Sequence, residues 1–283
     1  MPVGDIRNNS YPAAYAAAAL MVAFSAACIG AHAQEKPAST LLAPVTISAK
    51  ANRDPVEKSY RKMVSGMDLF DKQQTSLAPN AALRFKLLPR HRDTDMNNIE
   101  MDVLGTETEF AVPIAPDHSF TLQRNPKAFA ENAQVIPNRK AQSMTWRTDI
   151  RTPGLPPNTR RLGDLRLECR VGMESGLISN SSNVFGRFIK AVINTPAYCD
   201  KQVPLYLFFA ERPLFGVTLV AGARREVLPI ENLYAAASDD PGLNEDLPYC
   251  DCEVLVDRTY VLPLGDLSWP NDTLVEFEYM DDY

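Results

Sequence analysis

Four cysteines constrain this chain most, because a segment at its start decides whether they can be joined. Residues 13–29 are its one long apolar run, Ala-rich, behind a short stretch in which Arg7 and the terminal amine outweigh Asp5. Ala31-His32-Ala33 follows, with small side chains at both ends of an A-x-A site, so residues 1–33 read as a signal peptide cut after Ala33. Two other readings of the run are an uncleaved anchor, although it is shorter than the ~20 residues that span a bilayer, and lipidation at Cys28. Export puts Cys169, Cys199, Cys250 and Cys252 in an oxidising periplasmic or extracellular space, where an even number of cysteines predicts two disulfides. Cys250 and Cys252 would share one face of a strand, a geometry poorly suited to bonding each other. Cys169 and Cys199 are therefore each expected to take one of that pair, tying the last third of the chain to its middle. The competing chemistry is a thiolate site for zinc or Cu(I), or a redox-active pair. The staple reading calls for no metal and no cofactor.

The sequence has 283 residues, 45% hydrophobic and 23% charged, the balance of a globular protein, and its 22 prolines against 13 glycines punctuate it into short segments. Lys plus Arg number 29 against 35 Asp plus Glu, a net charge of -6, which offers no electrostatic footprint for nucleic acid. Beyond the leader no run approaches ~18 apolar residues, so no membrane span is expected once the leader is removed.

Residues 34–53 are polar and aperiodic and read as a flexible linker. Within it, Pro44-Val45-Thr46-Ile47-Ser48-Ala49 resembles the TonB box of outer-membrane receptors; too little chain follows for their long barrel, so the linker reading is kept. Asp54-Pro55-Val56-Glu57 combines an N-cap, a proline at the first helical position and a capping-box Glu, predicting a helix over 54–73. Val56, Tyr60, Met63, Val64, Met67 and Phe70 would form its apolar stripe.

From Leu83 the pattern changes to short β segments: 83–88, 99–104, 109–114, 119–122, 143–150 and 165–171, separated by Pro- and Gly-marked turns. Such spacing predicts a β-sandwich-like core. Trp146, Thr148 and Ile150 alternate with Arg147, Asp149 and Arg151, which predicts an apolar face and a charged, wet one. A second amphipathic helix is expected over 183–195. Strands resume at 205–210, 214–220, 227–229, 253–256, 260–264 and 274–279, with Ala221-Gly222 as a hairpin turn. The fold expected is thus mainly β with two or three helices, disulfide-stapled, in two β-rich regions, 54–175 and 176–283, packed as one unit.

Phe110-Ala111-Val112-Pro113-Ile114-Ala115-Pro116-Asp117-His118-Ser119-Phe120-Thr121-Leu122, with the proline-containing run from Pro153 to Leu167, resembles the carboxypeptidase-regulatory-like (transthyretin-like) sandwich domains over residues 108–167. The whole chain is similar to a family of uncharacterised exported proteins of proteobacteria. The first resemblance implies a small non-catalytic sandwich, the second only an extracytoplasmic location.

Candidate chemistry is sparse. Outside the leader the histidines are His91 and His118, and the hydrolase and nucleotide-binding signatures G-x-S-x-G, H-E-x-x-H, G-x-x-x-x-G-K-[ST] and G-x-G-x-x-G are absent. Asp239, Asp240, Asn244, Glu245 and Asp246 form an oxygen-rich loop that could hold calcium without matching EF-hand spacing, or simply keep the loop solvated. Arg147, Arg151, Arg160, Arg161, Arg166 and Arg170 cluster in sequence and could line a groove for an anionic glycan or lipid headgroup, or form a solvated face paired with acids. The function expected is a non-catalytic secreted or periplasmic β-rich binding or structural module, with an unknown envelope protein or glycan as partner. Its competitors are an exported hydrolase of cell-wall glycan or peptide working through two unlocated carboxylates, and an envelope assembly factor docking a protein partner.

Overall fold

The computed structural model describes residues 57–89, 93–140, 143–177, 195–201, 206–234 and 256–280. The leader, the linker, the helix expected at 183–195, His91, Cys250, Cys252 and the acidic loop at 239–246 lie outside the described residues.

The first elements are a two-residue strand β1 (Lys58–Ser59) and the helix α1 (Tyr60–Leu77). The helix was expected from residue 54, but Lys58 and Ser59 pair with Val135 and Gln134 instead, and the Ser59 hydroxyl accepts from the Lys62 N–H as N-cap. The apolar stripe is nevertheless where periodicity puts it: Tyr60, Met63, Val64 and Phe70 are buried and Met67 is partly so.

The strands that follow are β2 (Ala82–Pro89), β3 (Met101–Leu104), β4 (Glu109–Ala111), β5 (Ser119–Phe120), β6 (Gln134–Pro137), β7 (Met144–Arg151) and β8 (Thr159–Arg161). A short helix α2 (Pro126–Ala130) lies in the stretch between the strands expected at 119–122 and 143–150, where the Asn125 side chain caps the N–H groups of Lys127 and Ala128. After the helix α3 (Leu162–Glu174) come β9 (Phe208–Phe209), β10 (Leu214–Ala221), β11 (Arg224–Val227), β12 (Thr259–Tyr260) and β13 (Leu274–Tyr279). They form antiparallel sheets of order β1-β6-β3-β4, β5-β2-β7 and β11-β10-β13-β8, with β9 paired to β12. Among the described residues the class is therefore mainly β with three helices and a disulfide. The β10–β11 hairpin turns at Gly222, whose φ of 59° is the left-handed conformation its loop requires.

The helix α3 corrects the strand expected at 165–171. Its sequence fits both periods, since Leu165, Leu167, Cys169 and Val171 alternate with polar residues. In the structure every residue from Leu162 to Cys169 is buried, including Asp164, Arg166 and Glu168. The helix is enclosed because it stands between cores. Leu162, Leu165, Cys169 and Met173 belong to a core with Phe208, Tyr260, Trp269 and Phe277, whereas Leu167 and Val171 pack with Phe70 of α1 and Ile150 of β7. At its start Gly163 admits the close approach of two chains: a Cβ there would lie 1.9 Å from the Leu77 carbonyl oxygen.

The disulfide also differs from expectation. Cys169 bonds Cys199 directly, with Cα atoms 6.0 Å apart and a sequence separation of 30. A helix at 162–174 turns Cys169 toward the single 3-10 turn Pro196–Asp200, which packs on it, so the partners are local rather than in the last third of the chain.

Candidate functional site

The site grows from an edge. Strand β7 pairs with β2 on one side, so the polar groups of its other side need partners of a different kind. Charged side chains supply them. The Ile150 N–H donates to Glu168 Oε2 at 3.2 Å, and the Ile150 carbonyl accepts from Arg160 Nη2 at 2.7 Å. Beyond the end of the strand, Asp164 accepts from the Thr152 N–H and hydroxyl, each at 2.8 Å. Arg160 and Glu168 bond each other at 2.5 Å with side chains only 7% and 8% exposed. This buried seam joins β7 to α3 and to β8, where Arg160 resides. Burial pushes the Glu168 carboxyl above the usual glutamate value, with Arg160 pulling against it. For Arg160 burial acts downward, and the charges of Glu168, Tyr260 and Asp149 together with the Glu168 hydrogen bond more than reverse it.

The other charged side chains of β7 do not meet the wet face that alternation predicts. The segment 207–211 lies across them. Arg147 is buried, with its guanidinium 4.4 Å from the centre of the Phe209 ring, a cation–π contact. It also hydrogen-bonds the phenol of Tyr206, whose pKa burial pushes up to about 12. Arg151 Nε donates to Asp149 Oδ1 at 2.8 Å and its Nη2 to Glu211 Oε1 at 2.9 Å. Burial alone would raise the Asp149 carboxyl, but Arg160 and Arg151 together hold it below the usual aspartate value.

Between β2, β7 and the 207–211 segment is a cavity of about 500 Å³. Its cationic lining is Lys86, Arg147, Arg151, Arg160 and Arg258, and its acids are Asp117, Asp149, Glu168 and Glu211. A second cavity of about 330 Å³ shares Arg151, Arg160, Phe209, Ala210 and Glu211 with the first and adds the aromatic residues Tyr260, Phe277 and Tyr279. Guanidinium groups fixed by neighbours in this way are suited to holding carboxylate, sulfate or phosphate oxygens.

Of the six arginines that cluster in sequence, the structure brings Arg147, Arg151 and Arg160 into one cavity and sends the others elsewhere. Arg161 is half-buried and lines neither cavity. Arg166 holds a loop, donating to the carbonyls of Leu264 and Asp266 and to Asn271 Oδ1. Arg170 bonds Gln73 and Asp200. His118 lines the first cavity, in a left-handed turn at φ 62°.

Sequence reasoning missed Lys86, Glu168, Glu211 and Arg258. A signal existed for Lys86 alone: it sits opposite Arg147 in the β2–β7 ladder, so placing charge on one face of β7 implied it. Among the described residues no group of three or more His, Cys, Asp or Glu is arranged to hold a metal ion, and no helix is long and apolar enough to cross a membrane.

No protein-family model matches the chain, and neither a curated protein nor a solved structure matches it.

Proposed function

We propose that the chain is an exported, disulfide-stapled binding module of the periplasm or cell surface, and that its site is the arginine-lined cavity beside β7. Its ligand carries a sulfate, phosphate or carboxylate, as an acidic glycan or a lipid headgroup does. The observation that carries this reading is the convergence of Lys86, Arg147, Arg151, Arg160 and Arg258 on one cavity of about 500 Å³ in a chain whose net charge is -6. Against the acids Asp117, Asp149, Glu168 and Glu211 these five cations leave the cavity with an excess of one positive charge, opposite in sign to the chain as a whole. Export is supported by the signal-peptide pattern of residues 1–33 and agrees with the Cys169–Cys199 bond.

The competing hydrolase reading needs two carboxylates free to exchange protons with substrate. Of the four acids in the cavity, Asp149, Glu168 and Glu211 are each bonded by an arginine, and Asp117 accepts from the Ser119 hydroxyl. That engagement favours binding over catalysis.

The test is the melting temperature of the intact chain with inorganic phosphate, sulfate and a sulfated disaccharide at low and high salt. The expected result is an upward shift that grows with ligand concentration and fades as salt screens the charges. No shift with any of the three, at any salt concentration, would overturn the reading.

A further inference from the structure

The two cavities share five residues, and two of these, Arg151 and Glu211, are bonded to each other. The Arg151–Glu211 bond is half-exposed, with side chains 41% and 56% accessible, so it lies where solvent and solutes reach it. A pair of that exposure contributes little to stability and yields to a better-placed anion. Arg151 is otherwise fixed, because its Nε is held by Asp149, which leaves Nη2 aimed at Glu211. The main chain at Glu211 is anchored separately, its carbonyl accepting from Arg258 Nη1 at 2.9 Å. The side chain of Glu211 can therefore leave Arg151 while the segment stays in place. Arg160, only 6% exposed, lines both cavities, and its Nε has no hydrogen-bond partner among the described residues. A buried donor without a partner carries a desolvation penalty that an incoming oxygen removes.

On the far side of this pair the chemistry changes. The smaller cavity is walled by Tyr260, Phe277 and Tyr279 and by the loop residues Pro153, Leu155 and Pro156. Those three rings are 1%, 6% and 5% exposed and pack on one another and on Phe208, so the apolar surface open to a ligand is that of Phe209, Pro153, Leu155 and Pro156, against which a flat apolar group gains from leaving water.

We propose that the two cavities are one site, divided by Glu211 acting as a built-in carboxylate on Arg151, and that the ligand is an anion bearing a flat apolar group. The acid of the ligand replaces Glu211 on Arg151, and its flat part enters the smaller cavity. This rests on the anion-binding reading above and goes further by naming the shape of the ligand and its internal competitor.

Calorimetric titration of the intact chain with inorganic phosphate and with phenyl phosphate tests it. Phenyl phosphate is expected to bind roughly tenfold more tightly than phosphate or better, a difference of about 1.4 kcal/mol. Glu211→Gln, which removes the competing charge, is expected to tighten both. Leu155→Trp, which fills the smaller cavity, is expected to abolish the advantage of the phenyl group and leave phosphate binding intact. If phosphate binds but the phenyl group adds nothing and Glu211→Gln changes nothing, the divided-site proposal is wrong and the anion-binding reading stands. If neither ligand binds the wild type or Glu211→Gln, both are wrong. Binding that appears only in Glu211→Gln overturns the proposal, because the ligand then fails to displace Glu211 in the native chain.

Discussion

The helices α1 and α3 pack against each other and are held in opposite ways. In α1 the apolar side chains Tyr60, Met63, Val64 and Phe70 share one stripe, and the outer face carries Asp68 and Asp71, both bonded to Arg124 in the open. In α3 there is no outer face for the first two turns: apolar side chains enter two cores, and Asp164, Arg166 and Glu168 go into the interior with them. Hydrophobic transfer is enough to position α1. The position of α3 also depends on charges meeting particular partners, and those partners are a free strand edge and the loops around residues 264–271. The same seam that fixes α3 builds one wall of the arginine-lined cavity, so stability and the candidate site share residues.

This contrast predicts a graded set of outcomes. Glu168→Ala leaves Arg160 buried without its counter-charge and the Ile150 N–H without its acceptor, and is expected to cost about 3–5 kcal/mol in urea unfolding. Removing the clasp on α3 by changing Cys169 and Cys199 together to Ala comes next. For a loop of about 30 residues the chain-entropy argument gives roughly 3.5 kcal/mol as an upper figure, read as a lowered midpoint of denaturation.

A pH series sharpens the comparison further. Asp149 is held below its ordinary value in the native state, so it contributes stability above the unfolded aspartate pKa of about 3.9 and loses it as pH falls through the folded value. Unfolding free energy should therefore decline as the solution is taken below about pH 4, and Asp149→Asn should flatten that decline. The smallest effect belongs to the open face of α1, where Lys72 is exposed: Lys72→Ala should change stability by no more than about 0.5 kcal/mol. A large loss there would mean that α1, too, relies on its charges.

The same contrast explains what was legible in the sequence. The stripe of α1, the alternation in β7 and the extents of β2, β10 and β13 all come from apolar residues repeating at one period, a local signal. The helix α3 was hidden because Leu-Arg-Leu-Glu from residue 165 to 168 alternates like a strand, and only burial of those charges by distant groups makes it a helix. The disulfide was misplaced for another reason: setting aside a Cys250–Cys252 bond assigned those two cysteines to Cys169 and Cys199, which instead bond each other. The site was legible in part. Arg147, Arg151 and Arg160 lie close together in sequence, whereas Glu211 and Arg258 reach the cavity from segments with no periodic tie to β7. Arg166 and Arg170 were counted with the cluster because they lie near it in sequence; the helix takes them instead to Leu264 and to Gln73.

The seam itself is open to direct measurement by a double-mutant cycle in urea with Arg160→Met and Glu168→Leu, alone and combined. The account predicts that each single change destabilises strongly and that the pair together loses less than the two added, with a coupling of about 1–3 kcal/mol. Losses that add to within about 0.5 kcal/mol would contradict it, because the two charges would then be standing in the interior independently of each other.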